Sequence, residues 1–553
     1  MIKPLEKPII IVLLLLVLSG YLYFFQLNKI ALTDPDETFY GQTAKEMFLK
    51  GEWLTPTLYG KPQFEKPIFF YWLIEISYKI FGINEFAVRF PCALFGFLGL
   101  VGIYLLGRLL FNNRAGIFSA VVLATSLEYL ILSIGCVTDM VLFTLLLFGV
   151  LFFFYGQIRK RDHFYLFSSA AFALATLTKG PIGLLLPAFI IVLYLALTKN
   201  LAIFKKGFML AGALIIFAVI VKPWYIIMYK IHAQDFVNVF FGFHNVTRFL
   251  TPEHKIGSQV YYNIPIVLGG FFPWSVFLPL GFWHFFKKAF LSKRPEPLTT
   301  FGFGASDSQS ERNYSVFILI WFLFIFLFFT ASSTKLPTYI FPCFLSLALM
   351  TGKLWDDFLN KKAAQSLIKW MNVSYYALPS LILLIFAGVC IFIKMDYPEI
   401  LGKVVITGLF LIFGIAFSLI AFISKRFLAA FLLIAYSVAL IMYPVDKLIL
   451  PALEPHESSK ALAKELLKFH KEGEAIGSEY DYRAGIAFYT GKIPVKIVDY
   501  STLHELMGSK ERVWCVLKQK NVADLNGQGV DKPKNVVVIF KSGKKRLITN
   551  KPL

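Results

Sequence analysis

The chain has 553 residues, 57% of them hydrophobic and 16% charged, with 60 Phe and a formal net charge of +21. Soluble domains carry about 25% charged residues, so this composition, with a mean hydropathy of +0.66, excludes an ordinary soluble protein. Unbroken apolar runs are not the alternating pattern of a β-barrel, and the basic excess is of the kind that gathers in cytoplasmic loops rather than on nucleic acid.

The first apolar run, residues 9–27, follows Lys3 and Lys7 as a signal peptide would. It is longer than a signal core and lacks a small-residue cleavage site, so it is expected to be a retained helix. Further runs of spanning length follow at 86–107, 115–134, 140–157, 163–178, 181–198, 208–228, 262–286, 315–331, 337–352, 371–393, 402–423 and 427–444. The expectation is a polytopic α-helical membrane protein with about 13 transmembrane helices. With the N-terminus in the cytoplasm, alternate connections carry Arg108 and Arg114, Arg159 to Arg161, Lys205 and Lys206, Lys287 and Lys288, Lys361 and Lys362, and Lys425 and Arg426. This is the positive-inside pattern. It assigns to the external side residues 28–85, the turns at Asp139, Lys179 and Lys335, residues 229–261, and everything after about 445. Residues 289–314 are then a mobile, Gly/Ser-rich cytoplasmic loop.

The first external segment contains two amphipathic stretches. Residues 37–50 put Tyr40, Ala44, Met47 and Phe48 on one helical face, and 67–81 form an aromatic helix suited to the interface plane. The composition changes after Pro451. Residues 457–472 predict a helix opened by Ser458 or Ser459, and runs starting at 494, 512 and 535 predict strands. The expected division is a membrane domain, 1–444, that includes the first external loop, and a small external α/β domain, 445–553. The five cysteines, Cys92, Cys136, Cys343, Cys390 and Cys515, show neither metal spacing nor a disulfide framework.

Polar residues stand out against this background. Asp36 and Glu37, in DPDETFYGQ, suit a helix start, with Asp36 as N-cap. They equally suit a carboxylate held near a reaction centre at the membrane surface. Glu65 and Lys66, in FEKP, are either a surface ion pair or a phosphate and metal-binding pair kept at headgroup depth by the apolar helix after Pro67. Asp139 lies between two apolar runs, where an acid is costly. Lys179 and Lys335 sit at span ends, where a lysine can also snorkel. His244 and Arg248 are four apart, on one face of a helix, and His244 is a possible metal ligand beside Glu65. Several separate spans thus deliver polar groups to one face. A transporter would hold them nearer the bilayer midplane and show internal repeats, and a scaffold would have no use for them.

The ordered set D-E-x-x-Y, F-E-K-P, an Asp before the fourth span, L-T-K-G-P, H-x-x-x-R and S-x-x-K-L-P-x-Y closely resembles the lipid A aminoarabinose transferase family. That family is related to the protein O-mannosyltransferases and has the GT-C fold. The resemblance covers nearly the whole chain, including the spans and the C-terminal domain. It implies an inverting glycosyltransferase that moves 4-amino-4-deoxy-L-arabinose from undecaprenyl phosphate to lipid A phosphate, giving polymyxin resistance. The enzyme would be a monomer in the bacterial inner membrane with its active site facing the periplasm. It implies catalytic roles for Asp36, Glu37 and Asp139, and substrate or carrier-phosphate binding by Tyr40, Lys66, Lys179, Arg248, Lys335 and Tyr339. Glu65 and His244 would hold a divalent metal, zinc, and no organic cofactor is implied. One position departs from the pattern: Phe39 stands where lipid A enzymes often have Arg, which opens the choice of sugar and acceptor. Mannose to protein and a hexuronic acid to lipid A or core are the alternatives within the fold.

Overall fold

The computed structural model describes residues 7–25, 27–251, 259–291, 307–360, 364–522 and 536–553. Most of the loop expected at 289–314 lies outside the described residues. The chain forms two compact units: Met1–Phe25, Phe64–Phe70 and Cys92–Tyr443, and Gln26–Gln63, Tyr71–Pro91 and Pro444–Leu553. The second unit groups most of the first loop, apart from Phe64–Phe70, with the C-terminal residues.

Every expected span has a helical counterpart, but not each is a straight one. Among the described residues, 7 helices are long and apolar enough to cross a membrane, or up to 9 if each of two bent pairs counts as one span. The expected count of about 13 includes helices such as His163–Lys179 and Ile182–Leu197, of 17 and 16 residues, near the lower limit of spanning length. The bent pairs are Asn113–Ala124 with Leu127–Ile134, at 66°, and Val260–Gly270 with Trp274–Leu291, at 112°. The two breaks meet: the Leu127 N–H donates to the Phe272 carbonyl at 3.2 Å. Backbone groups freed at a break inside a membrane protein need such partners.

Within the first unit, Thr138–Arg159 and His163–Lys179 form an antiparallel hairpin, so the start of one lies beside the end of the other. The turn that follows, Lys179-Gly180-Pro181, depends on Gly180, whose φ of +85° is open to glycine and costly for other residues. Gly183 lets the next helix approach closely, since a Cβ there would come within 2.4 Å of the Ala175 backbone. At the far end of the helix Phe344–Phe358, Lys353 meets Glu311 at 2.9 Å and Asp357 at 2.8 Å, and Asp357 also accepts from Lys288 at 2.7 Å.

The second unit contains the helix Asp36–Lys50, a small hairpin of β1 (Thr57–Leu58) and β2 (Lys61–Pro62), and a five-stranded sheet. The Glu46 carboxylate closes the hairpin by accepting from the Tyr59 and Gly60 N–H groups at 2.8 and 2.9 Å. The sheet comprises β3 (Ala475–Glu479), β4 (Val495–Ile497), β5 (Val513–Lys518), β6 (Val537–Ser542) and β7 (Lys545–Thr549), in the order β4-β3-β5-β7-β6. β3 is parallel to both β4 and β5, and β7 is antiparallel to β5 and β6. The strand alternation of β5 sends Trp514 and Val516 to a core with Leu462, Leu466 and Ile486, and Val513, Cys515 and Leu517 to a second core with Leu503 and Met507. The expected helix appears as Lys460–Phe469 with Ser459 at its N-cap, and the three expected strands are β4, β5 and β6. Strands β3 and β7 and the helices Tyr480–Thr490 and Tyr500–Met507 were not foreseen in the sequence.

Loop and C-terminal segments share this unit through direct bonds. Lys45 Nζ donates to the Phe488 carbonyl at 2.6 Å, and Tyr489 Oη accepts from the Leu32 N–H at 2.7 Å. Lys460 Nζ reaches Glu85 Oε1 at 2.6 Å.

Candidate active site

In the first unit, one cavity of about 430 Å³ gathers Glu65, Lys66, Asp139, Lys179, Arg248 and Tyr339 against an apolar wall that includes Phe240, Phe241, Phe328 and Phe329. Asp139 lies in the first turn of Thr138–Arg159 and Lys179 is the last residue of His163–Lys179. Each therefore complements its own helix dipole, and the hairpin joins them in an ion pair. The Lys179 ammonium also stands over the Tyr339 ring, 4.8 Å from its centroid, a favourable cation–π distance. Glu65 Oε1 accepts from Lys66 Nζ at 3.1 Å and lies 3.5 Å from Arg248 Nη1. Three cations thus face two carboxylates, leaving one positive charge in a largely apolar cavity. Such an arrangement suits a phosphate group.

Lys335 is buried in the turn after the helix Asp307–Ala331 but does not line this cavity. Residues Val237–Thr247 form a π-helix rather than an α-helix, and Arg248 opens the short helix Arg248–Leu250. The His244 side chain lies outside the described residues. Among the described residues, no three His, Cys, Asp or Glu side chains converge as a metal site. Glu65, one of the two expected ligands, faces two cations, and no step is derived through a metal.

Asp36, Glu37 and Tyr40 belong to the second unit. All three lie in the helix Asp36–Lys50, and their environments differ. Asp36 is exposed in the first turn. Tyr40 is buried, with its ring 5.3 Å from Phe39 and 6.1 Å from Tyr71. Glu37 is buried in a bidentate pair with Arg89, at 2.7 Å to Nε and 2.6 Å to Nη2. The remaining guanidinium donors go to the carbonyls of Leu27, Ile30 and Ala31 at 3.1, 2.7 and 2.9 Å. Burial pushes the Glu37 carboxyl up, but the Arg89 charge and hydrogen bonds outweigh it and hold the group below its ordinary value. Glu37 is therefore occupied in holding the loop. Sequence reading overlooked Arg89, although an arginine inside the apolar stretch FAVRFP is itself a signal.

Residues 65–227 match the family described as dolichyl-phosphate-mannose-protein mannosyltransferase. The chain is 29% identical over 492 residues to an uncharacterised protein of Aquifex aeolicus, covering 88% of this chain and 87% of that protein. It is 30% identical over 360 residues to undecaprenyl phosphate-alpha-4-amino-4-deoxy-L-arabinose arabinosyl transferase 2 of Pseudomonas fluorescens, covering 64% of this chain and 58% of that enzyme. The chain thus matches less than two thirds of that enzyme's length. Its fold is similar to the crystal structure of ArnT from Cupriavidus metallidurans bound to undecaprenyl phosphate, with a TM-score of 0.78, 21% identity and 98% of both chains covered. The chain is thus similar over part of its length to arabinosyl transferases that use undecaprenyl phosphate, and it shares the overall fold of ArnT.

Proposed function

We propose that the chain transfers 4-amino-4-deoxy-L-arabinose from undecaprenyl phosphate to a lipid A phosphate, working as a monomer at the periplasmic face of the inner membrane. The observation that carries this reading is the set of three cations, Lys66, Lys179 and Arg248, around one apolar-walled cavity. The donor's leaving group is a phosphate monoester, and negative charge grows on it as the glycosidic bond breaks. Lys66 and Arg248 stabilise that charge in a partly dry cavity, where such donors are worth more than in water. Asp139 holds Lys179 in place beside them. A single displacement with inversion needs no covalent glycosyl-enzyme. Asp36, exposed on its helix start, orients the acceptor or takes its proton when the acceptor is a hydroxyl.

A second reading keeps the fold and the donor class but changes the sugar or acceptor. It is favoured by Phe39, whose ring packs edge-on against Tyr40 and offers no charge to a second phosphate. The test is mass spectrometry of lipid A from a Gram-negative strain that makes the aminoarabinose donor and lacks its own transferase. Supplying this chain is expected to add an aminoarabinose mass, and supplying Asp36→Asn is expected to abolish it. No added mass, with the protein folded in the membrane, would move the assignment to the second reading.

A further inference from the structure

The loop Thr33–Thr38 carries three acids, and only the middle one is exposed. Glu37 is held by Arg89 and accepts from Thr33 N–H and Oγ1 at 2.9 and 3.0 Å. Asp34 is held from the other side, entirely by groups of the second unit. Its side chain is 2% exposed and lies 3.9 Å from the ammonium of Lys545, itself 1% exposed, at the start of β7. Its Oδ1 accepts from Thr38 Oγ1 at 2.9 Å, across the first helical turn, and its N–H donates to the Glu457 carbonyl at 2.8 Å. Gly485 makes room for it, since a Cβ there would come within 2.2 Å of Asp34 Oδ1 and 2.1 Å of Ser459 Oγ. The Lys545 ammonium rests over Tyr482, 5.1 Å from the ring centroid. A buried charge pair needs a reason to exist, because apolar residues of the same volume usually hold a fold as well or better.

We propose that Asp34 and Lys545 are positioning residues, a clamp by which the C-terminal α/β body fixes the first turn of the helix Asp36–Lys50 and so sets the direction in which Asp36 presents its carboxylate. The inference rests on the role given to Asp36 above, and it assigns to the C-terminal strands a part in the reaction. Asp34 and Glu37 anchor the turn on either side, to Lys545 and Arg89, and the exposed Asp36 lies between them in sequence.

The test uses the full-length protein in lipid nanodiscs. Hydrogen–deuterium exchange is followed over peptides of residues 36–42 and 513–518, and transfer is measured with undecaprenyl-phosphate-linked aminoarabinose and lipid A. The variants are Asp34→Asn, Lys545→Met, the two combined, and Lys545→Arg. Each single neutral variant strands a buried partner and can unfold, so the double variant is the decisive one. It is expected to keep its Tm, to exchange at least tenfold faster over 36–42 with 513–518 unchanged, and to lose at least tenfold in kcat with the donor KM within twofold. Lys545→Arg, which keeps the charge, is expected to restore the rate. Unchanged exchange over 36–42, or recovery of full kcat together with Tm in the double variant, would overturn the clamp. The exchange measurement needs no substrate. It therefore decides the clamp even if Asp36→Asn retains full turnover, a result that would remove Asp36 from the reaction and with it the catalytic meaning of the clamp.

Discussion

Two ion pairs in this molecule use the same chemistry for different ends. Glu37 and Arg89 bury each other completely: both carboxylate oxygens and the remaining guanidinium nitrogen bonds are satisfied within one loop. Asp139 and Lys179 meet at the ends of two helices, and their partners are each other, a ring face and an open cavity. The first pair has no bond left to offer a ligand, while the second is arranged around a space. Completeness of hydrogen bonding, rather than burial or charge, separates the pair that builds the loop from the pair that lines the cavity.

That contrast can be broken at its strongest point. Arg89→Leu leaves Glu37 as a buried, uncompensated charge and is expected to cost about 3–5 kcal/mol, seen as loss of folded protein from detergent extracts. Recovery of stable, wild-type-like protein would mean that Glu37 is not the structural acid. Lys179→Met should do the reverse. Its carboxylate partner borders a cavity that can admit water, so Tm should change little while the transfer rate falls about 100-fold or more, the scale of losing one charge-stabilising donor. Equal losses of stability and rate would make the Asp139–Lys179 pair structural too.

A third pair, Asp34 with Lys545, sharpens the contrast through pH. Burial pushes the Asp34 carboxyl up to about 7, although Lys545 pulls against the shift. Glu457, Tyr59, Tyr482 and Tyr489 are the other titratable groups that share this environment. The folded value lies above the unfolded value of about 3.9, so Asp34 contributes most to stability below the unfolded value, and the contribution is lost as pH rises through about 7. Between roughly pH 5 and 7 the wild type should therefore lose about 1.4 kcal/mol per pH unit relative to Asp34→Asn/Lys545→Met. Parallel stability curves for the two proteins would show that Asp34 does not titrate in this range. A purely steric effect is expected at Gly183→Ala. The new methyl group would press on the Ala175 backbone, a crowding worth about 1–3 kcal/mol, and would tilt the helix that follows Lys179. Calorimetry that finds no loss would show that the two helices can separate freely at the turn.

The membrane helices were legible because a continuous apolar run has one solution in a bilayer. The breaks at Ala124–Leu127 and Gly270–Trp274 were not, although LGGFFPW holds the glycines and proline that permit the second. Asp139, Lys179, Lys66 and Arg248 could be singled out because charge near apolar runs is rare, and the cavity brings them together. Lys335 carried the same signal and lines no part of it. The pairing of Glu37 was not legible for a physical reason: its partner Arg89 is 52 residues away, and pairing at that distance leaves no local pattern. Asp34 and Lys545 are farther apart still, and nothing in DPDETF distinguishes the anchored acids from the exposed one.

The second unit is discontinuous in sequence, drawing on residues 26–63, 71–91 and 444–553. A ribosome makes these pieces far apart in time, at roughly 5–20 residues per second. The loop that carries Asp36 emerges early and can bond Glu37 to Arg89 at once. Its contacts with Glu457, Tyr489 and Lys545 have to await synthesis of those distant residues. The acid-bearing loop thus stays incomplete for most of the time between its own emergence and that of residue 545.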